Sequence, residues 1–186
     1  MLRASLSGMG IPRPIREPTV TALQRLPLRL AQDRPDPLVC KWESPSAIAH
    51  ELRWLTARQQ AEVGEDYESY DPDWGLYLAR EQAGLCTVWT ARTMSGVLVG
   101  YILWLLSKGR HCSTTGFAEA DLFYLAPEWR EGMTGWKFLK TGLAAVKKLP
   151  GVDIVRMETN VLYKDGRAGS ILKRLGMRKV GEVYRT

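Results

Sequence analysis

The apolar run VLVGYILWLL, residues 97–106, constrains this fold more than any other stretch of the sequence. A run of about ten residues is too short to cross a bilayer, so we expect no membrane span, but it suits a buried strand. The segment LCTVWTAR at 85–92 and the turn TMSG at 93–96 precede it, and together they predict a β-hairpin. After a polar loop, FAEADLFYLA at 117–126 predicts another strand, so the middle of the chain is expected to form a sheet.

The segments around this hairpin supply the helices and the outer strands. Ser44 or Ser46 caps a helix that runs to about Val63, and Gly64 ends it. The order β-α-α-β-β-β-α-β-α-β predicts an α+β fold (an α/β sandwich), with a mixed, mostly antiparallel sheet flanked by helices. The other predicted elements are a strand at 37–43, a short helix near 75–83, a helix at about 134–148, a strand at 152–159, a short helix at 165–176 and a strand at 177–185.

Residues 1–35 differ from the rest of the chain in composition. Six arginines against Glu17 and Asp33 give residues 1–34 a charge of +4, out of +6 for the whole chain. Repeated prolines exclude a long helix there, so we predict an extended arm at 1–35 and a single domain at 36–186. An arm of this kind contacts nucleic acid, docks on a protein partner or docks on the domain itself, and the sequence leaves these alternatives open.

The cysteines and the N-terminus indicate the compartment. Cys40, Cys86 and Cys112 lie far apart, in no metal-ligand spacing. This pattern predicts a reducing compartment, no disulfide framework and no metal site. The stretch MLRASLSGMGIPRP has no apolar segment of signal-peptide length, so we expect a cytoplasmic protein.

The turn PEWREGMTGWKFLK, residues 127–140, lies between a predicted strand and a predicted amphipathic helix. Amides at the start of a helix have no partner inside the helix, and the helix dipole adds positive charge there. Glycine lets that backbone approach an anion closely, so Arg130, Gly132 and Gly135 suit a pyrophosphate. Glycine at such a junction also serves ordinary turn geometry, which is the alternative interpretation.

The strand, this turn, the following helix and strand, and the later segment ILKRLGM together resemble the acetyl-CoA-binding core of the GNAT superfamily of N-acetyltransferases. In that family the turn has the form Arg/Gln-x-x-Gly-x-Gly/Ala, and Arg130 and Gly135 match its first and last positions. Met133 replaces the middle glycine, and Gly132 stands one residue early. The resulting Arg-x-Gly-x-x-Gly form is similar to GNAT-like proteins of bacteriophages. The resemblance covers roughly residues 45–186.

The resemblance implies acetyl-CoA as the cofactor. Backbone groups of β-strand residues would run beside its pantetheine arm, turn amides would hold its pyrophosphate, and a polar residue after the next strand would contact the pantetheine. The implied coenzyme-binding residues are Phe123, Tyr124, Leu125, Arg130, Glu131, Gly132, Met133, Thr134, Gly135, Trp136 and Asn160.

Acetyl transfer to an amine needs a base, because an amine with a pKa near 10 must lose a proton before it attacks. Strand alternation predicts Glu119, Asp121, Phe123 and Leu125 on one face of FAEADLFYL, and Ala118, Ala120, Leu122 and Tyr124 on the other. Asp121 is the candidate base or anchor for the substrate ammonium, with Glu119 second. In the alternative interpretation these carboxylates only pair with Arg110 or Arg156.

One departure concerns the group that would protonate the leaving thiolate. The family usually has a tyrosine where ILKRLGM has Leu172, so Tyr163 is the candidate acid here. A thiolate with a pKa of about 8.5 also leaves without help. His111 could carry protons to bulk water, and Cys112 could accept the acyl group, but nothing in the sequence orients this pair. Direct transfer in a ternary complex is therefore the expected mechanism.

Two functions from different classes follow. The first is an acetyl-CoA-dependent N-acyltransferase whose acceptor is a protein lysine, a small amine or an amino-modified DNA base. The second is a GNAT-fold protein held in a virion or another assembly by its basic arm, with weak or no catalysis. A homodimer, and the host cytoplasm for a phage-encoded chain, are compatible with either function. Nucleic-acid binding alone depends only on the arm and on the sequence pI of about 9.3.

Overall fold

The computed structural model describes residues 37–63, 71–109, 111–158 and 167–181. The predicted arm at 1–35 and Gly64, which was predicted to end the first helix, lie outside these residues. A single turn of 3-10 helix at Pro127–Trp129 follows the fourth strand. In chain order the elements are β1 (Val39–Glu43), α1 (Ala49–Val63), α2 (Trp74–Gln82), β2 (Cys86–Arg92), β3 (Leu98–Lys108), β4 (Gly116–Leu125), α3 (Thr134–Val146), β5 (Ile154–Met157) and α4 (Arg167–Arg174).

The five strands form one sheet in the order β1-β2-β3-β4-β5. The first four strands pair antiparallel, and β5 pairs parallel with β4 after the α3 crossover. The predicted mixed sheet flanked by helices is confirmed. The last strand, predicted at 177–185, is wrong for residues 177–181, which are not in a strand. Residues 182–186 lie outside the described residues.

Helices α1 and α3 cover opposite faces of the sheet. Tyr101 and Tyr124 are paired neighbours on β3 and β4, and both donate their hydroxyls to side chains of α1. The next residue of β3, Ile102, points to the other face, where a Cβ added to Gly142 of α3 would lie 2.5 Å from Ile102 Cδ1. Glycine at that position therefore lets α3 pack directly on the sheet.

The core lies on both faces of the central strands. Leu52 and Leu55 of α1 and Trp104 of β3 are fully buried. Burying a side chain of the size of leucine contributes about 1.5–3 kcal/mol. The apolar run at 97–106 thus supplies the middle strand of the sheet, with Leu98–Trp104 buried throughout. No helix in the described ranges has the length and hydrophobicity needed to cross a membrane.

A β-bulge interrupts β4 at Asp121. Leu103 of β3 pairs with Leu122, whereas the next residue, Trp104, pairs with Ala120, so Asp121 has no partner on β3. The bulge reverses the alternation of side chains. The predicted faces are therefore wrong across this point: Leu122 and Tyr124 share the α1 face with Glu119, and Phe123 and Leu125 share the α3 face with Ala118 and Ala120.

Candidate active site

The turn between β4 and α3 has a backbone that only some residues can adopt. After the 3-10 turn, Gly132 takes a φ of +58°, in the left-handed region that favours glycine. Met133 immediately precedes α3, and its side chain makes no capping hydrogen bond. The side chain of Met133 therefore satisfies none of the first amides of α3.

The amides of this turn divide into two sets. Those of Trp129 and Arg130 donate to carbonyls within the 3-10 turn, at 2.9 and 3.1 Å, and that of Thr134 donates to Glu131 O at 3.3 Å. Several unpaired donors beside a helix start suit an anion such as a diphosphate. Within the described residues, the amides without a protein acceptor are those of Glu131, Gly132, Met133, Gly135 and Trp136.

Gly135 leaves open space beside these amides. Among the described residues outside its own helix, a Cβ built on it would contact only Leu125 Cδ2, at 4.0 Å, and its φ lies outside the left-handed region. Neither packing nor backbone conformation therefore requires glycine here. A small residue here leaves room for a group to approach the backbone from outside the protein. The neighbouring Trp136 is partly buried, with Lys140 Nζ 4.6 Å from its ring centre.

The side chain of Arg130 is held by protein oxygens. Its Nε donates to the carbonyl of Leu125 at 2.5 Å, and its Nη2 donates to Glu62 Oε2 at 2.8 Å. Its Nη1 donates to the other oxygen of Glu62. The guanidinium carbon also lies 5.0 Å from the ring centre of Tyr124. The first residue of the motif therefore fastens the turn to β4 and α1.

The β4 residues predicted to run beside the pantetheine lie beyond the bulge. Parallel pairing with β5 ends at Ala120 and Met157. Within the described residues, Phe123, Tyr124 and Leu125 therefore have a strand partner on the β3 side only. This leaves one edge of β4 uncovered by β5 between the bulge and the turn.

Tyr124 itself points into the α1 face, where it is buried. Its hydroxyl donates to Glu62 Oε2 at 3.0 Å. Burial, together with the Glu62 carboxylate, raises the pKa of Tyr124 well above its ordinary value. The phenol is therefore neutral at physiological pH and acts as a hydrogen-bond donor.

The two predicted carboxylates have different partners. Asp121 is exposed at the bulge, and the hydroxyl of Tyr77 on α2 donates to its Oδ2 at 2.6 Å. Glu119 pairs with Arg156 on β5 at 3.1 Å, and both side chains are about half exposed. Tyr77 was not predictable from the sequence, because its partner is 44 residues away. Because Glu119 is held in an ion pair, Asp121 remains the better candidate for the base.

The cysteines do not form a nucleophilic centre with a histidine. Burial, together with the carboxylates of Glu81 and Asp121, raises the pKa of Cys86 to about 11. Hydrogen bonds from Thr115 and Thr114 lower the pKa of exposed Cys112. Within the described part of the chain, no hydrogen bond joins its neighbour His111 to this thiol. The same residues contain no cluster of His, Cys, Asp and Glu able to hold a metal.

Leu172 of α4, which stands where the family usually has a tyrosine, is buried in the core and is only 6% exposed. Its position is therefore filled by packing and offers no acid. Tyr163 and Asn160 lie outside the described residues, as does Arg110, so their predicted roles stay predictions.

Solved acetyltransferase structures share this fold. The chain matches an aminoglycoside acetyltransferase from an uncultured soil metagenomic sample in complex with sisomicin, with 15% identity over 80% of this chain and 95% of that one, and a TM-score of 0.60. It also matches the ribosomal-protein-alanine N-acetyltransferase of Brucella melitensis biovar Abortus 2308, with 15% identity over 81% of this chain and 98% of that one, and a TM-score of 0.59.

A third match is a predicted acetyltransferase with acetyl-CoA from Clostridium acetobutylicum. It shares 13% identity over 81% of this chain and 96% of that one, with a TM-score of 0.58. No protein-family model matches the sequence, and no curated protein matches it significantly. The fold is thus the α/β fold of GNAT acetyltransferases, as the sequence predicted.

Proposed function

We propose that this chain is an acetyl-CoA-dependent N-acyltransferase of the GNAT superfamily, which transfers acetyl directly to an amine in a ternary complex. One observation carries the proposal: the row of unpaired amides at the start of α3, next to the stretch of β4 that β5 leaves uncovered. The fold shared with acetyltransferases supports it.

The residues present fit the coenzyme. The amides of Glu131, Gly132, Met133, Gly135 and Trp136 would hold its diphosphate, because they have no acceptor within the described residues and stand at the positive end of a helix. The open space at Gly135 lets the phosphate oxygens reach that backbone. The uncovered backbone edge at 122–125 would hold the pantetheine arm. Asn160, after β5, is proposed as a further contact.

The chemistry assigned to the protein is proton transfer. The bound coenzyme supplies an acetyl thioester, in which a C–S bond breaks as the amine forms a C–N bond. Asp121 Oδ1 or Oδ2 accepts the amine proton directly or through one water, and its exposure lets that proton pass to solvent. Tyr77 orients this carboxylate by its 2.6 Å hydrogen bond. Glu119 is the second candidate base, and Tyr163 is the candidate acid.

The acceptor is proposed to be a small amine or an amine of a protein, with an amino-modified DNA base as the remaining alternative. Two of the similar structures are described by an aminoglycoside and by the alanine of a ribosomal protein, both of which carry amines. The Arg-x-Gly-x-x-Gly form of the turn favours the bacteriophage type, and with it the host cytoplasm. The homodimer stays a prediction. The docking of the arm on a virion or protein partner also stays a prediction, because residues 1–36 lie outside the described residues.

Thermal denaturation with coenzyme A and with acetyl-CoA tests the site. A ligand that binds only the folded protein at 100 times its Kd stabilises it by about 2.7 kcal/mol, so the Tm should rise. Gly135→Trp places a large side chain in the open space and should abolish that rise. If millimolar coenzyme leaves the Tm unchanged, the binding site and the enzyme both fail.

Release of free thiol tests the reaction. Acetyl-CoA is mixed with the protein and a panel of polyamine, lysine peptide and DNA, and the thiol is followed with time. Thiol release that needs one acceptor and is lost in Asp121→Asn identifies an acyltransferase and its acceptor class. Binding of the coenzyme without release from any acceptor would instead favour the assembly-associated function.

A further inference from the structure

The last two turns of α1 carry opposite charges that face the turn before α3. Arg58 and Glu62 are four residues apart, so they lie on the same side of the helix. Glu128 and Arg130 lie in the turn, two residues apart, and have the complementary order of charges. Arg58 Nη2 donates to Glu128 Oε1 at 2.6 Å, and Arg130 Nη2 donates to Glu62 Oε2 at 2.8 Å.

Glu62 is the central residue of this double contact. Its carboxylate accepts hydrogen bonds from both terminal nitrogens of Arg130 and from the hydroxyl of Tyr124. Its side chain is 19% exposed and that of Arg130 is 27% exposed, so solvent screens this pair only in part. A bidentate pair between guanidinium and carboxylate also fixes the relative orientation of the two groups.

The same contacts decide how the turn can bind a phosphate. The Nε of Arg130 donates to the carbonyl of Leu125 and both terminal nitrogens donate to Glu62, so its guanidinium holds the turn against β4 and α1. Affinity for a diphosphate then depends on main-chain donors, and these must converge before the ligand arrives. The segment that carries them begins immediately after Arg130.

We propose that Arg58 and Glu62 of α1 are positioning residues of the coenzyme site. They act through Glu128 and Arg130, which hold the turn so that the amides following it point at one anion. The inference rests on the proposed function, since it assumes that this anion belongs to coenzyme A. It assigns a binding role to a helix that covers the other face of the sheet from α3.

A coupling of this kind is reciprocal. If α1 orders the turn for the coenzyme, the bound coenzyme must stabilise the last turns of α1 by the same free energy. Hydrogen exchange of amides near Arg58 and Glu62 should therefore slow when coenzyme A binds. A purely structural ion pair would leave this exchange insensitive to the ligand.

The decisive experiment measures the Kd of coenzyme A by titration calorimetry. Glu62→Gln should raise it about tenfold, which corresponds to about 1.4 kcal/mol. Arg58→Glu and Glu128→Arg should each raise it by about threefold, because that pair is more exposed. The double variant Arg58→Glu/Glu128→Arg restores an ion pair with the charges exchanged and should return the Kd to within about twofold of wild type.

Glu51→Gln is the matched control. Glu51 lies near the start of the same helix, and its carboxylate pairs with Arg92 at 2.7 Å, away from the turn. This variant should lower the Tm by a similar amount to Glu62→Gln and leave the Kd unchanged. A similar loss of affinity in both variants would mean that general destabilisation of α1 is the cause, and the inference would be overturned.

The outcomes separate this inference from the function on which it rests. If wild-type protein does not bind coenzyme A, the proposed function is refuted and the positioning role is refuted with it. If wild type binds but Glu62→Gln and Arg58→Glu bind equally well, the function stands and the positioning role is refuted. A charge-exchanged double variant that binds no better than its single variants would also refute it.

Discussion

Replacement of Gly135 by alanine and by tryptophan separates a requirement of the fold from a requirement of the ligand. The nearest protein atom to the new Cβ would be Leu125 Cδ2 at 4.0 Å, an ordinary contact, and the backbone of Gly135 is not left-handed. The methyl group therefore fits without strain. Alanine in a helix is more favourable than glycine by up to about 1 kcal/mol, so Gly135→Ala should stabilise the free protein.

The size of the effect can be measured in two assays. A gain of about 1 kcal/mol raises the Tm of a chain of this length by roughly 2–4 °C, and a position in the first helical turn gives the lower part of that range. The family turn accepts alanine at this position, so the Kd of coenzyme A should rise by no more than about threefold on Gly135→Ala, whereas the tryptophan side chain of Gly135→Trp should abolish binding. Circular dichroism melting and titration calorimetry give both values on one sample.

Gly132→Ala is the control for this experiment. Apart from its chain neighbours, no atom of the described residues lies within 4 Å of its added Cβ, but the φ of +58° makes any side chain unfavourable there. We expect this variant to lose about 1–2 kcal/mol of stability. If Gly135→Ala lowers the Tm as Gly132→Ala does, then Gly135 is glycine for a reason internal to the fold. If Gly135→Trp leaves the Kd unchanged, the assigned site is refuted.

Three further predictions concern packing, pH and catalysis. Gly142→Val should lower the free energy of unfolding by about 1–3 kcal/mol in a urea titration, because an added Cβ would lie 2.5 Å from Ile102 Cδ1 of the sheet. A neutral result would contradict the close packing of α3. Burial raises the pKa of Glu43, but the hydrogen bonds from Arg92 and Thr90 outweigh it and lower the pKa overall; a hydrogen bond from Arg92 also lowers the pKa of Glu51. The stabilisation that these two carboxylates contribute is therefore fully present above the unfolded pKa of about 4.3, and it is lost as the pH falls through their lower folded pKa values. Arg92→Met should then destabilise the protein in urea at pH 7 but much less at pH 3, and an equal loss at both values would contradict this. Tyr77→Phe should lower kcat by about tenfold with the Kd of coenzyme A unchanged, measured by thiol release and calorimetry; an unchanged kcat would remove its positioning role.

Much of the fold was predictable because the strands and helices carry strong local patterns. The two strands of the hairpin were predicted at 85–92 and 97–106 and are found at Cys86–Arg92 and Leu98–Lys108. Hydrophobic run length and turn residues determine such elements locally. The parallel pairing of β5 also followed from the predicted α3 crossover, because a parallel connection requires one.

The parts that could not be predicted depend on contacts distant in sequence. The Glu62–Arg130 pair spans 68 residues, and nothing near either residue signals its partner. Arg130 was therefore assigned by its motif to phosphate binding, whereas its side chain fastens the turn. The bulge at Asp121 was missed for a related reason, since one extra residue in a strand disturbs only the pairing with its neighbour.

That extra residue has a consequence for how the strand is built. Since Ala120 and Leu122 already pair with consecutive residues of β3, removing Asp121 would leave an uninterrupted ladder with every neighbouring side chain on its present face. The core gains nothing from Asp121. A chain shortened by this one residue should keep the fold of its parent while lacking the carboxylate proposed as the base, so in this strand the proposed catalytic role and the architecture are separable by deletion of one residue.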